Sequence, residues 1–133
     1  MLTANGKCLC GTIEFTVKLP SKWVAHCHCT LCQREHGAAF VTWAGFVESE
    51  VTIFDSTQAL TWYPSTAEAE RGFCGVCGSS LFFRSAKWPE EIHIVRANFI
   101  DNLDREPQAH VYYDTHVQWF DVKDTLPKKN SPA

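Results

Sequence analysis

The 133-residue sequence predicts a mainly β protein, a compact antiparallel β-sheet fold with little helix. Three observations carry this. Apolar and polar residues alternate along short segments, which is the period of a half-buried strand and not of a helix. Turn-forming residues separate those segments at short intervals. Helical spacers long enough to join parallel strands are missing, which argues against a parallel α/β arrangement.

The clearest strand lies at 12–19, where Ile13, Phe15, Val17 and Leu19 occupy every second position. Similar β-rich segments follow at 39–46, 51–54, 60–63, 80–84, 91–95 and 110–113. Pro20-Ser21, Pro64-Ser65, Trp88-Pro89 and Asp101-Asn102 supply the turns between them. A single helical turn is expected at 30–36, with Thr30 as its N-cap. Nothing repeats at a fixed period. The length suits one domain with a real core, expected over 1–123. The remainder, 124–133, with two prolines and two lysines, is expected to be a flexible tail.

Composition narrows the function classes. With 45% apolar and 20% charged residues the chain has a globular balance, and disorder is not expected. The net charge is −3, and no basic run exceeds Lys128-Lys129, so no electrostatic footprint for nucleic acid or an anionic membrane is present. The first residues lack the apolar core of a secretory signal. The longest nearly apolar stretch, 37–47, is interrupted by Thr42 and is about half of the ~20 residues a membrane span needs. A soluble, cytoplasmic protein is expected.

Seven cysteines are many for such a chain. An odd count without a secretory signal argues against a disulfide scaffold, and clustered reduced thiols point to metal. Cys8 and Cys10 form a C-x-C at the opening of the first strand. Cys27, Cys29 and Cys32 form a C-x-C-x-x-C. Cys74 and Cys77 form a C-x-x-C beside Gly75 and Gly78.

Tetrahedral zinc with Zn–S bonds near ~2.3 Å places ligand sulfurs ~3.8 Å apart. Both C-x-C on a strand and C-x-x-C in a tight turn can meet that spacing, and glycine permits the turn by allowing positive φ. The most economical partition joins Cys8 and Cys10 to Cys74 and Cys77 in a closed four-thiolate site that supports folding. The alternative, a redox dithiol at Cys74 and Cys77, lacks a βαβ context.

Cys27, Cys29 and Cys32 then remain as three ligands with a fourth position open, the pattern of a catalytic zinc site. Alternatively His26, His28 or His36 closes it. His26 and His28 alternate with the cysteines and would point the other way on an extended segment, whereas His36 could reach from a helix. An open three-thiolate zinc favours a soft fourth ligand, so the expected chemistry is capture and activation of a small thiol.

Cys8-Leu9-Cys10-Gly11, the stretch His26-Cys27-His28-Cys29-Thr30-Leu31-Cys32 and the stretch Arg71-Gly72-Phe73-Cys74-Gly75-Val76-Cys77-Gly78 resemble the glutathione-dependent formaldehyde-activating enzyme family, which includes the centromere protein V group. The resemblance runs from about residue 6 to 124 and takes in His110 and Trp119; Gln33 stands where an arginine is often found. It implies a zinc-stapled β fold with two zinc ions, structural on Cys8, Cys10, Cys74 and Cys77 and catalytic on Cys27, Cys29 and Cys32. It also implies a carbon–sulfur lyase activity that adds glutathione to formaldehyde, as an S-(hydroxymethyl)glutathione synthase.

In such a reaction a group near the metal protonates the new oxyanion, and His36 and His110 are candidates because imidazole titrates near neutrality. The blander reading for each, a solvent-facing or core-satisfied histidine, carries the greater weight. Arg34 and Arg71 are candidates to hold substrate carboxylates, with a bracing role the alternative for Arg71. Phe40, Trp43, Phe46, Phe73, Phe82 and Phe83 read as core in preference to pocket wall. Two other functions stay open: a non-catalytic zinc module binding a protein partner, which an exposed apolar patch would favour, and a thiol redox sensor. A cleft leading to Cys27, Cys29 and Cys32 would favour the enzyme.

Overall fold

A computed structural model describes residues 2–132; Met1 and Ala133, the outer ends of the expected domain and tail, lie outside the described residues. The fold is mainly β, as expected, and is divided into two sheets. Strands β1 (Thr3–Lys7), β2 (Glu14–Lys18) and β5 (Val51–Phe54) form a small antiparallel sheet in the order β1-β2-β5. The larger sheet contains β3 (Trp23–Cys27), β4 (Val41–Val47), β6 (Leu60–Pro64), β7 (Ala69–Cys74), β8 (Ser80–Ser85), β9 (Glu91–Val95) and β10 (His110–Val111). Its order is β10-β3-β4-β9-β8-β7-β6, antiparallel except where β10 runs parallel to β3. The α-helix, α1 (Thr30–His36), follows β3 directly. No helix among the described residues is long and apolar enough to cross a membrane.

The core lies where the sheets face each other. On β2 the alternation works as the sequence predicts: Phe15 and Val17 are buried while Glu14 and Lys18 face out. Phe15 meets Phe82 and Phe99 edge-on, with ring centroids 5.5 and 5.1 Å away. Ile13, Phe46, Leu81, Ile92 and Ile94 complete the centre. Each fully buried side chain of this size contributes about 1.5–3 kcal/mol of transfer free energy.

Three strands have no counterpart among the expected segments. β1, with the sequence TANGK, has only Ala4 as a buried apolar residue, and its smallness is what the packing requires. The Phe15 ring lies over Gly6, where a Cβ would come 2.2 Å from Phe15 Cζ and 2.7 Å from the Asn98 carbonyl oxygen. Gly6→Ala is therefore expected to cost about 1–3 kcal/mol through forced displacement of a core ring, read as a lower urea midpoint with an unchanged slope. β3 and β7 mix aromatic, charged, glycine and cysteine residues, so neither shows clean alternation.

Other boundaries also differ. The C-x-C lies in the turn between β1 and β2 and not on a strand. Thr30 is the first helical residue, and the N-cap is Cys29, whose side chain accepts from the Cys32 N–H. The expected strand at 110–113 is only two residues long, because Tyr112 adopts φ 54° and turns the chain. The segment expected to be a flexible tail is tied down along β10. The His110 N–H donates to the Pro127 carbonyl, Lys129 N–H to that of His110 and Tyr113 N–H to that of Lys129, at 2.8, 2.8 and 2.9 Å. Ser131 N–H donates to Asp114 at 2.7 Å. The unpaired edge of β10 offered those backbone groups, which sequence composition does not reveal.

Candidate active site

Two turns bring the first cysteine set together. The β1–β2 turn carries Cys8 and Cys10, and the turn after β7 carries Cys74 and Cys77. All four sulfurs lie within 4.8 Å of one another, with Cys8–Cys10 at 3.6 Å and Cys10–Cys74 at 3.9 Å. Those separations match the ~3.8 Å edge of a zinc tetrahedron. Backbone N–H groups of Val76 and Cys77 both point at Cys74 Sγ at 3.4 Å, and that of Ile13 points at Cys8 Sγ at 3.4 Å, a donor set suited to thiolates. Ser79 Oγ accepts from the Leu9 N–H at 2.9 Å and lies within hydrogen-bond reach of Cys77 Sγ at 3.2 Å. That hydroxyl pulls the Cys77 thiol down to about 5. Gly78 takes the expected left-handed conformation, φ 81°. Gly75 does not; it is needed because a Cβ would sit 2.9 Å from the Ala59 carbonyl oxygen, to which its N–H donates.

The second set forms where β3 passes into α1. Cys27 ends the strand, Cys29 caps the helix and Cys32 lies in its first turn. Their sulfurs converge within 4.8 Å, Cys27 and Cys32 at 3.7 Å. Among the described residues no histidine or carboxylate joins this group, so the convergent donors number three. The hydrogen bonds Cys29 receives from Cys27 and Cys32 hold its thiol far below the usual range, and Cys27, bonded to Cys29 and Cys32 and buried, is pushed up. The cluster thus concentrates negative charge on one sulfur. Arg71 reaches in from β7 to the neighbouring sulfur: Nη1 and Nη2 lie 3.6 and 3.7 Å from Cys32 Sγ, and Nη1 donates to Glu35 Oε1 at 2.8 Å. The donor chemistry and spacing of both sets fit zinc.

The three cysteines open on a cavity of about 590 Å³. Its walls are Trp23, Trp43, Phe83, Trp88 and Tyr112, with Arg71 and His93 as inward polar groups and Lys129 and Asn130 supplied by the C-terminal segment. His93 and Glu91 were not singled out in the sequence. They alternate on β9, so both side chains emerge on one face; that i, i+2 pairing within a strand was the available signal. Glu91 Oε1 lies 2.7 Å from His93 Nε2 and accepts from Trp23 Nε1 at 3.1 Å, while Lys22 Nζ donates to Oε2 at 2.6 Å. Glu91, paired with Lys22 and hydrogen-bonded to His93, stays ionised despite burial, which works against it. Burial pushes His93 below the ordinary imidazole range, outweighing the attraction of Glu91. The ring is then neutral near pH 7, donates from Nε2 to Glu91 and keeps an unprotonated Nδ1, which has no hydrogen-bond partner among the described residues.

The other residues anticipated at the site fall in different places. Arg71 lines the cavity, with its guanidinium engaged by Cys32 and Glu35. Arg34 is exposed on α1 and does not line the cavity. His36 packs edge-on against Trp43 at 5.5 Å, outside the cavity wall, with Nε2 3.0 Å from Glu35 Oε1 at an angle too poor for a hydrogen bond. His110 lies away from the cavity. It is buried on the opposite face of the sheet, because Ala109 and Val111 take the cavity side, and it bonds His28 Nε2 through Nδ1 at 2.8 Å. The aromatics divide: Phe46 and Phe82 are core, Trp43 and Phe83 are cavity wall. Gln33 Nε2 donates to the His28 and Thr115 carbonyls at 2.7 and 3.0 Å, locking the cysteine loop to the turn after β10.

Residues 3–115 match the family described as glutathione-dependent formaldehyde-activating enzyme. A protein of Halomonas elongata, named provisionally as a glutathione-dependent formaldehyde-activating enzyme, is 23% identical over 126 residues, 90% of this chain and 80% of that protein. An uncharacterised lyase of Schizosaccharomyces pombe is 28% identical over 107 residues, 79% of this chain and 76% of that one. The crystal structure of a Rhodobacter sphaeroides protein superposes with a TM-score of 0.63 at 25% identity, covering 76% of this chain and 92% of that one.

Proposed function

The chain belongs to the glutathione-dependent formaldehyde-activating enzyme family, and from that premise we propose that it is a zinc-dependent carbon–sulfur lyase joining a small thiol, glutathione, to an aldehyde, formaldehyde. The observation that carries the reading is the three-cysteine set at the floor of the cavity, with Arg71 beside Cys32 and the His93–Glu91 pair on the wall. A cavity leading to these sulfurs supports an enzyme over a partner-binding zinc module.

In this reading Cys8, Cys10, Cys74 and Cys77 hold a structural zinc, and Cys27, Cys29 and Cys32 hold a second zinc. Bound there, that ion would supply Lewis acidity to an incoming thiol. The chain's own groups do the rest. Arg71 offsets the negative charge of the cysteine set and holds Cys32 in place. His93 Nδ1 takes the thiol proton, with Glu91 fixing the tautomer that leaves Nδ1 free. As the C–S bond forms, the carbonyl π pair moves onto the aldehyde oxygen, and His93 returns the proton there. The reverse sequence is the lyase direction. Lys129 at the rim offers a cation to a substrate carboxylate, and the aromatic walls exclude water from the reacting atoms.

The test is the rate of S-(hydroxymethyl)glutathione formation, followed by exchange NMR against the spontaneous reaction. Acceleration proportional to enzyme is expected, and a zinc-loaded protein that gave none would defeat the proposal. His93→Gln is expected to lower kcat/KM by about 10²–10⁴-fold, the usual contribution of a positioned base. Its pH profile carries the sign. A base must be neutral, and burial depresses the pKa of His93, so its contribution is full at neutral pH and above. It is lost only as pH falls through a value below the ordinary ~6.5 of imidazole. The wild-type to variant rate ratio should therefore shrink on acidification.

A further inference from the structure

His26, His110 and Asp124 lie on the face of the sheet away from the cavity and take no part in the chemistry above. Strand pairing makes them neighbours. β10 runs parallel to β3 with His110 level with His26, and the two rings lie 4.9 Å apart. The segment paired along β10 brings Asp124 back, its two carboxylate oxygens 3.0 and 2.9 Å from His110 Nε2. One ligand atom from each of the three residues falls within 4.8 Å of the others. We propose that His26, His110 and Asp124 form a further metal site, taking a transition dication such as zinc, with the remaining positions open to water or a small ligand.

Between His110 and Asp124 the geometry asks little rearrangement, and the His26 ring has to close from within 4.8 Å. Metal bonds of ~2.0–2.2 Å to nitrogen and oxygen, at tetrahedral or octahedral angles, put the two donor atoms about 3 Å apart. Each donor is also braced from behind, as metal ligands require. His26 Nδ1 lies 2.8 Å from Thr42 Oγ1, His110 Nδ1 lies 2.8 Å from His28 Nε2, and Asp124 Oδ1 accepts from the Leu126 N–H at 3.0 Å. Those bonds leave Nε2 of both rings for the ion. With Nε2 of His110 committed, its ring proton sits on Nδ1 and is donated to His28. Two imidazoles and one carboxylate suit zinc, cobalt, nickel or ferrous iron over magnesium or calcium, which prefer oxygen throughout. His110 is buried, while the side chain of Asp124 is 43% exposed, so an ion can reach the site from solvent. A simple Asp124–His110 ion pair does not call for a third ligand atom from His26.

Equilibrium dialysis of the full chain, its cysteine sites already loaded with zinc, against excess zinc should leave one more bound equivalent in the wild type than in Asp124→Asn or His26→Gln. Circular dichroism establishes that both variants fold. Cobalt added to the zinc-loaded chain should give ligand-field bands without sulfur-to-cobalt charge transfer, and those bands should be missing from both variants. Equal metal content in the wild type and both variants, or an extra cobalt equivalent with sulfur charge transfer, overturns the proposal.

Discussion

Cys74→Ala is expected to abolish the folded state. Cys74 is fully buried, and its sulfur accepts two backbone N–H groups while converging with those of Cys8, Cys10 and Cys77. Structural zinc sites contribute about 10–16 kcal/mol to the folding of small zinc peptides, against a total stability of about 5–15 kcal/mol for a typical domain. A three-ligand remnant retains only part of that. It also loses the Cys74 sulfur that ties the turn after β7 to the β1–β2 turn, where the Leu9–Ser79 hydrogen bond remains. A loss beyond about 5 kcal/mol is expected, seen as missing β-sheet ellipticity and collapsed amide dispersion in NMR spectra. A Cys74→Ala protein with near-native melting would show that packing, and not a metal, joins those turns.

Cys29→Ser should do the opposite: keep the fold and lose the reaction. Cys29 is half-buried and acts locally as the N-cap of α1. Serine is among the best N-caps, so the bond to the Cys32 N–H survives and stability should change by less than about 1 kcal/mol. What disappears is one soft donor of three, and with it, in the proposed reading, the second zinc site. Adduct formation should fall to the spontaneous rate, a loss on the order of 10³-fold or more. The pair of variants separates the two cysteine sets: one set for folding, the other for chemistry. Full activity in Cys29→Ser would remove the three-cysteine set from the mechanism.

How far the sequence led can be judged on particular residues. The partition of seven cysteines was legible because ligand geometry is local. C-x-C and C-x-x-C spacings place sulfurs near tetrahedral separations whatever surrounds them, and two pairs close one site and leave three thiols over. The alternation of Ile13, Phe15 and Val17 likewise announced a strand with one buried face. β1 stayed hidden because its signal is the absence of a side chain: Gly6 is small so that Phe15 can lie across it. No periodicity records a residue's smallness for its neighbour's sake.

The sequence alone thus determined a mainly β chain and the grouping of its cysteines into two sets able to hold a metal. Tertiary structure alone decided what surrounds the open set. β4 and β9 pair next to each other, so Trp43 and His93 share a wall with cysteines far away in sequence. The parallel pairing of β10 with β3 sent His110 to the opposite face, level with His26, where the returning chain added Asp124. Spacing along a chain fixes geometry over a few residues; which face of which strand meets another is settled by burying apolar surface across the whole molecule, and the histidines went where that left them.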